Sequence, residues 1–361
     1  MRVVDLFAGC GGLSLGFIAA GHDIVKAVEF DADIANTYKK NHVTTEMIVD
    51  DIKNVDKCGF FFHGDADIII GGPPCQGFSM AGARIRDSFI DDPRNYLFKH
   101  YYNVVNVVQP SAFVMENVKG LLTMQGGQIF SEIVDIFSNG DKDSSPYNIF
   151  HKIVRATDYG IPQNRERVII MGYRDSKKDV DEIWKKTKEE VSFNDPHFFD
   201  NVTVRDAISN LPSPTVSGVV KNVSPISNYQ KELSSSQDTI CNHCMTKHSS
   251  KAIERMTKIT AGENYTSLNE TIKSVHSGAY GRLEWDEPAQ TITTRFDTPS
   301  GGRFIHPVEN RTLTPREAAR IQSFPDDFVF YGNRTSICKQ IGNAVPPKLA
   351  YFLAKVVEKL V

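Results

Sequence analysis

No apolar run in the chain approaches the roughly 20 residues that a membrane-crossing helix requires, so no membrane-spanning helix and no membrane partner are expected. The N-terminus has no basic segment leading into an apolar one. Met1-Arg2-Val3-Val4 already reads as a strand, so no secretory leader is expected and a cytoplasmic location is. Cysteine is sparse. The six residues at 10, 58, 75, 241, 244 and 338 are scattered, which suits a reducing compartment better than a disulfide framework. An excess of charge of one sign is also lacking. The net charge of −3 does not advertise a nucleic-acid binder, although an average can hide a local basic face. A G-x-G-x-x-G loop is missing too. Ser14 stands where the third glycine would fall after Gly9 and Gly11, which argues against NAD. What remains is a composition of 40% apolar and 24% charged residues over 361 positions, that of a globular chain of about two domains.

The most informative stretch is Asp67-Ile68-Ile69-Ile70-Gly71-Gly72-Pro73-Pro74-Cys75-Gln76-Gly77-Phe78-Ser79. It begins as a short apolar run, read as a fully buried strand. Two glycines end the strand, and two prolines with fixed φ follow. The Cys75 thiol is therefore expected on a stiff turn at the carboxyl end of a strand, the edge where open parallel sheets bind ligands.

The rest of the first half reads as alternating strands and helices. Val3–Phe7 is a strand, Ala8–Gly12 a glycine loop, and Leu13–Ala20 a helix that stops at Gly21. Strand, glycine loop and helix form the first unit of a nucleotide-binding α/β fold, and the helix N-terminus can take a carboxylate. Ile24–Phe30 is a second strand carrying Glu29, an acid at the distance that suits ribose hydroxyls. Asp31–Asn41 reads as a helix capped by Asp31. Val49–Ile52 resembles a third strand end, with Asp51 beside Ile52. Residues 76–95 form an aperiodic loop with Arg84, Arg86 and Arg94, of a length that is usually functional. A helix is expected over Tyr96–Val108 and a buried strand over Ser111–Val118. The latter puts Glu116 on the same sheet edge as Cys75. A helix follows at Gln128–Phe137. Ile149–Ala156 and Val168–Gly172 read as neighbouring strands, and between them Arg165 and Arg167 alternate as they would on one face of a strand.

From about 194 to 310 the character changes: Ser, Thr, Asn, Gly and Pro become frequent, and a second, mostly β or irregular domain is expected. Cys241-x-x-Cys244-x-x-x-His248, with His243 inside it, has zinc-like spacing but no second Cys/His pair, so no metal site is expected. Order returns with Thr314-Pro315, a strong helix start. Lys339–Pro347 reads as a turn. Leu349, Phe352, Leu353, Val356, Val357 and Leu360 then mark an amphipathic helix on the core.

Six stretches in order carry a resemblance: Asp5–Gly12, Gly72–Gln76, Glu116-Asn117-Val118, Gln163–Arg167, Arg316–Pro325 and Gln340–Pro346. The chain resembles the DNA (cytosine-5)-methyltransferases of bacterial and phage restriction–modification systems over nearly all its length outside 194–310. The resemblance implies a doubly wound, Rossmann-like S-adenosylmethionine-dependent methyltransferase domain in 1–193 plus 311–361, and a target-recognition domain in 194–310. Cys75 would add to cytosine C6, protonated Glu116 would bond N3, Arg167 would hold the O2 edge, and Arg165 would support the loop or a phosphate. The target base would be flipped out of duplex DNA. The loop with Gln76, Ser79, Arg84 and Arg94 would close on the DNA; Ala81 stands there where some relatives carry a polar residue.

For the cofactor, the resemblance implies that Phe7 and Ile52 sandwich adenine, Asp51 takes its amino group, and Glu29 takes the ribose. Gly9, Gly11 and Gly12 would border the methionine part, with Pro73, Leu97 and Asn343 completing the pocket. Site choice needs base-edge contacts in the major groove. Gln290–Phe296 and Ser300–Arg303 suit it, with Thr291, Arg295 and Arg303 as candidates and Arg295 or Arg303 reading a guanine. A monomer is expected, with a cognate restriction endonuclease as companion. A tRNA cytosine-5 methyltransferase and a catalytically inactive DNA-binding regulator are the alternatives. The long 194–310 insert and the intact Cys75, Glu116 and Arg167 weigh against them.

Overall fold

The computed structural model describes residues 1–74, 96–140, 146–270, 272 and 277–361. It divides the chain into two units. The first comprises Met1–Arg155, Glu166–Asp195 and Leu349–Val361; the second comprises Ala156–Arg165 and Pro196–Lys348.

The first unit is built on a seven-stranded sheet. Its strands are β1 (Arg2–Leu6), β2 (Asp23–Glu29), β3 (Glu46–Val49), β4 (Ile68–Gly71), β5 (Ala112–Val118), β6 (Asn148–Arg155) and, after the two-residue β7 (Gln163–Asn164) of the second unit, β8 (Glu166–Tyr173). The order is β3-β2-β1-β4-β5-β8-β6. β1, β2, β3, β4 and β5 pair in parallel, and β8 runs antiparallel to both β5 and β6. Val3, Val4, Ile68, Ile69, Ile70, Phe113 and Val114 are fully buried. Strands covered on both faces need such unbroken apolar runs, which is why they were legible. The chain starts at the centre with β1, moves outward to β3, and crosses back to β4. The strand order thus reverses between β1 and β4, and the crevice at their carboxyl ends is where such sheets take ligands. This is the doubly wound α/β fold expected.

The helices follow their local signals. α1 (Gly12–Ala19) starts at Gly11, which has no side chain to cap it. The buried Asp5 carboxylate accepts a 2.6 Å bond from Ser14 Oγ in the first turn instead. α2 (Ala32–Asn41) is capped by Asp31, which accepts from the Asp33 and Ile34 amides. The short α3 (Ile52–Val55) is capped by Asp51, and α4 (Leu97–Val108) and α5 (Gln128–Asn139) cover the sheet with Tyr101 and Phe137. α6 (Val180–Asn194) went unread in the sequence. Its signal is Asp179, which accepts from the Glu182 amide at 3.1 Å, and it buries Trp184, Thr187 and Val191. The helix Pro347–Val357 has the expected amphipathic face, with Phe352 against Trp184 at 5.3 Å between ring centroids. No helix among the described residues is long and apolar enough to cross a membrane.

The second unit is irregular, as expected. Its strands are two or three residues long, and three short helices (Val204–Ile208, Asn228–Leu233 and Ser250–Thr257) lie in the region where none was placed. Residues 311–348, grouped with the first domain in the sequence, pack here instead. Buried arginines explain why. Arg316 donates to the Cys241, Pro325 and Phe328 carbonyls. Arg320 makes two 2.8 Å bonds to Asp326 and reaches Ala207 O and Asn210 Oδ1. The expected Thr314-Pro315 start is a full capping box with Glu317.

Glu317 also takes two bonds from Arg311, at 2.7 and 2.8 Å. Burial alone would raise this carboxyl, but the hydrogen bonds and charge of Arg311 outweigh it and hold it at about 2. A carboxyl depressed on folding stabilises fully above its unfolded value of about 4.3 and loses that contribution as pH falls toward about 2. Glu317→Gln removes one of the two carboxylates that pair with the buried Arg311, leaving Glu309 at 3.0 Å from its Nε, and is expected to cost about 1.5–3 kcal/mol, the scale of a lost charged hydrogen bond. Urea unfolding at neutral pH measures the loss. Repeating it at pH 3 should show a smaller gap between variant and parent.

Candidate active site

The carboxyl ends of β4 and β5 lie side by side, with Gly71 opposite Met115. Glu116 therefore comes out beside Gly72, so close that a Cβ on Gly72 would stand 3.3 Å from Glu116 Oε2. Glu116 is nearly buried, and Arg167 from β8 brings its Nε to 3.0 Å from Glu116 Oε1 as an ion pair. Beyond that ion pair, Oε1 receives no aligned hydrogen bond among the described residues. Arg167 is steadied by a 2.7 Å bond from Nη1 to the Glu166 carbonyl, and Glu166 is held in turn by Lys119 and Arg155. Those two cations keep the Glu166 carboxyl below its usual range, Lys119 foremost.

Asn117, whose part went unread in the sequence, ties the two strand ends together. Its buried Nδ2 donates to Pro73 O at 2.8 Å and its Oδ1 accepts from the Val118 amide. The Pro-Pro turn that leads to Cys75 is thus fixed to the residue next to Glu116. Cys75, Gln76, Ser79, Arg84 and Arg94 lie outside the described residues.

Arg165 belongs to the second unit. The single strand expected through Asn164–Arg167 is not formed. The Arg165 amide bonds back to Gln163 O, a three-residue turn that ends β7. The buried Arg165 guanidinium donates from Nη1 to the Ile292 and Gly342 carbonyls at 3.3 and 3.0 Å. Of the two roles expected for it, these donors serve loop support. Asn343 ends the helix Arg334–Asn343, so the turn expected at Lys339–Pro347 is helical as far as Asn343.

At the carboxyl end of β1 the loop is strained. Phe7 has φ 59° and Gly9 and Gly11 have φ 57° and 95°. A left-handed phenylalanine costs energy and is retained where the surroundings require it. No described residue stands within 4 Å of a Cβ built on Gly9, so among the described residues space lies open over the loop. Glu29 closes one side, accepting from the Gly9 amide at 3.0 Å and from the Asp31 amide at 2.9 Å. Burial raises its carboxyl above the usual range. β2 pairs with β3 so that Glu29 lies opposite Val49, and Asp51 and Ile52 emerge next to it. Asp51 is occupied at one oxygen by the Lys53 amide, while Ile52 and Leu97 are buried. Gly12 opens α1, and Pro73 stands at the end of β4. Phe30 was missed. It follows Glu29 and leaves its ring 70% exposed, an aromatic in water at the edge of a crevice. Its signal was its position, one residue beyond Glu29, the acid expected to take a ribose.

Gly11 cannot be replaced. A Cβ there would fall 2.2 Å from His42 Nε2 and 2.9 Å from the Tyr38 ring. Gly11→Ala must move the loop or the His42 ring and sits at φ 95°, so it is expected to lower the midpoint of urea unfolding.

In the second unit, Thr291 Oγ1 donates to Asn164 O at 2.6 Å. The Ile292 amide donates to Gln163 Oε1 at 2.7 Å, and the Ile292 side chain is buried with Phe296. Arg295 is exposed and, among the described residues, its side chain bonds only Thr298 Oγ1, whereas Arg303 donates from Nη1 to the Glu263 and Arg282 carbonyls. The Cys241–His248 stretch serves packing: His243 bridges Thr314 Oγ1 and Pro212 O, and Cys244 Sγ accepts from Arg334.

Residues 1–359 match the model of the C-5 cytosine-specific DNA methylase family. The chain is 34% identical to the type II methyltransferase M1.HphI of Haemophilus parahaemolyticus, over all of this chain and 87% of that one. It is also 34% identical to the type II methyltransferase M.DdeI of Desulfomicrobium norvegicum, over 98% of this chain and 88% of that one. Among solved structures it resembles an Escherichia coli prophage-encoded DNA modification methyltransferase, with TM-score 0.77 and 30% identity over 100% of this chain and 99% of that one.

Proposed function

The chain belongs to the C-5 cytosine-specific DNA methylases, and on that premise we propose that it methylates C5 of a cytosine flipped out of duplex DNA, through a covalent bond from Cys75 to C6. The observation that supports this best is the pair Glu116–Arg167 set beside the Asn117–Pro73 tie, which brings a buried acid and a guanidinium to the start of the Cys75 turn.

C5 of cytosine is a weak nucleophile. Addition of the Cys75 thiolate to C6 moves electron density toward C5, and Glu116 steadies the ring by a bond at N3. Arg167 keeps Glu116 in place and presents donors to the O2 edge. Once C5 carries its methyl group, loss of the C5 proton re-forms the 5,6 double bond and expels the thiolate. A stacked base cannot meet these groups, which is why flipping belongs to the proposal.

Methyltransferases of this family use S-adenosylmethionine, which supplies an electrophilic methyl group on a sulfonium. The open space over Gly9, the Glu29 carboxylate and the solvent-exposed Phe30 ring fit such a molecule. In this reading Glu29 takes the ribose, Asp51 the adenine amino group, and Phe7, Phe30 and Ile52 cover the ring. Gly9, Gly11 and Gly12 border the amino-acid part, with Pro73 and Leu97 completing the pocket. Gln76, Ser79, Arg84 and Arg94 contact DNA, and the second unit chooses the site, with Thr291 and with either Arg295 or Arg303 reading a guanine. The protein works as a cytoplasmic monomer that protects host DNA against an endonuclease of the same specificity.

Transfer of labelled methyl from the cofactor to duplex DNA, with tRNA run in parallel, tests the reading. Label in DNA at C5 of cytosine is expected. Label in tRNA alone, or in neither, overturns it.

A further inference from the structure

One cavity in the second unit carries Arg303, a residue that the proposed function gives to site choice, among side chains given no role above. It measures about 230 Å³ and is lined by Asn164, Glu284, Glu287, Gln290 and Arg303, with Leu283 and Pro288 between them. Three acids cluster along this segment, but they are not equivalent. Asp286 is neutralised by Arg205 through two bonds of 2.7 and 3.0 Å. Among the described residues, the Glu284 and Glu287 carboxylates make no ion pair or hydrogen bond, and both residues are exposed.

A guanidinium on the wall of the same cavity would ordinarily pair with one of them. Arg303 does not. Its Nη1 is anchored to the Glu263 and Arg282 carbonyls, and a Cβ on Gly281 would lie 2.6 Å from the Arg303 Cβ, so the backbone holds the side chain in place. That anchoring leaves the Nε–Nη2 edge of the guanidinium without a partner among the described residues. The cavity therefore carries a rigid two-donor fork and, held apart from it, free acceptors.

The major groove offers one pair with the matching pattern. A G·C pair presents N7 and O6 of guanine as acceptors and then N4 of cytosine as donor. An A·T pair presents acceptor, donor, acceptor, so a fork followed by a carboxylate meets a donor with a donor and an acceptor with an acceptor. Carboxylates near DNA are also repelled by phosphates. They are tolerable where they receive a base amino group and act against the wrong pair.

Resting on the reading of the protein as a duplex-DNA methyltransferase, we propose that this cavity reads one G·C pair of the target site, Arg303 contacting the guanine and Glu284 or Glu287 the cytosine amino group. Arg295, exposed and anchored to no main-chain carbonyl through its side chain, is then left for a phosphate.

The test is methylation of a randomised duplex library, read by bisulfite sequencing, for the parent and for Arg303→Lys, Glu284→Gln, Glu287→Gln and Arg295→Ala. Lysine keeps the charge but not the fork, and the two Gln changes alter exposed side chains, so folding is preserved; thermal unfolding verifies it. The expected result is that Arg303→Lys and one Glu→Gln variant relax the same position tenfold or more, a position that is G·C in the parent, while Arg295→Ala lowers activity evenly across sequences. Unchanged preference in the folded Arg303→Lys variant, relaxation of different positions, or a parent preference for A·T there overturns the proposal. A parent that methylates no duplex DNA overturns the underlying reading instead.

Discussion

A Cys75→Ala variant is expected to transfer methyl groups roughly 10⁴-fold more slowly than the parent or not at all, because in the proposed route the nucleophile opens the reaction by activating C5. Serine in its place should rescue little, since its hydroxyl is far less ionised than a thiol near neutral pH. Duplex DNA carrying 5-fluorocytosine at the target gives a second readout. Fluorine cannot leave as the proton does, so the parent should stay bonded to the DNA through Cys75 and migrate as a denaturation-resistant complex. The variant should form none while still binding cofactor. Parent-like turnover by Cys75→Ala would discard the covalent route altogether.

Glu116→Gln should cost on the order of 10²-fold in the single-turnover rate, the scale of a removed acid or charge-stabilising group. Glutamine keeps the shape and the place beside Gly72, so the change is electrostatic. It also leaves Arg167 without the carboxylate 3.0 Å from its Nε. Cofactor affinity should hardly move, because Glu29 and the glycine loop lie on a different pair of strands. A rate within threefold of the parent would reduce Glu116 to a strand-end carboxylate that merely anchors Arg167.

The strand-end position of Glu116 was legible in the sequence for a physical reason: parallel strands buried on two faces are apolar throughout, so the polar residue that ends one stands out. Ala112–Met115 announces Glu116 in this way, and Val28 announces Glu29, whereas Cys75 lies outside the described residues. Glycine misled where its purpose was tertiary. Gly342, near Pro346-Pro347, suggested a turn at 339–347. It is helical, and it is glycine because the Thr293–Thr294 backbone passes within 2.5 Å of where a Cβ would sit. Arg165 and Arg167 looked like neighbours on one strand, yet the bond from Arg165 N to Gln163 O breaks the strand between them. The grouping of 311–348 was hidden because Arg316 and Arg320, buried and bonded to carbonyls distant in sequence, look like surface charges in a one-dimensional reading. Phe30 was passed over because an aromatic after a strand usually belongs to the core, and only its exposure marks it as available to a ligand.

The way the chain passes between its two units sets a schedule for synthesis. The first unit draws on Leu349–Val361, where Phe352 meets Trp184 and the Lys359 ammonium meets Glu190 and Thr187. During translation the sheet strands emerge early, but the Trp184 ring has no Phe352 to cover it until the second unit has been made. A growing chain carries this apolar patch uncovered throughout that interval, and chaperones that bind exposed aromatic surface would find it there. Only after Leu349–Val361 has left the ribosome can the first unit close.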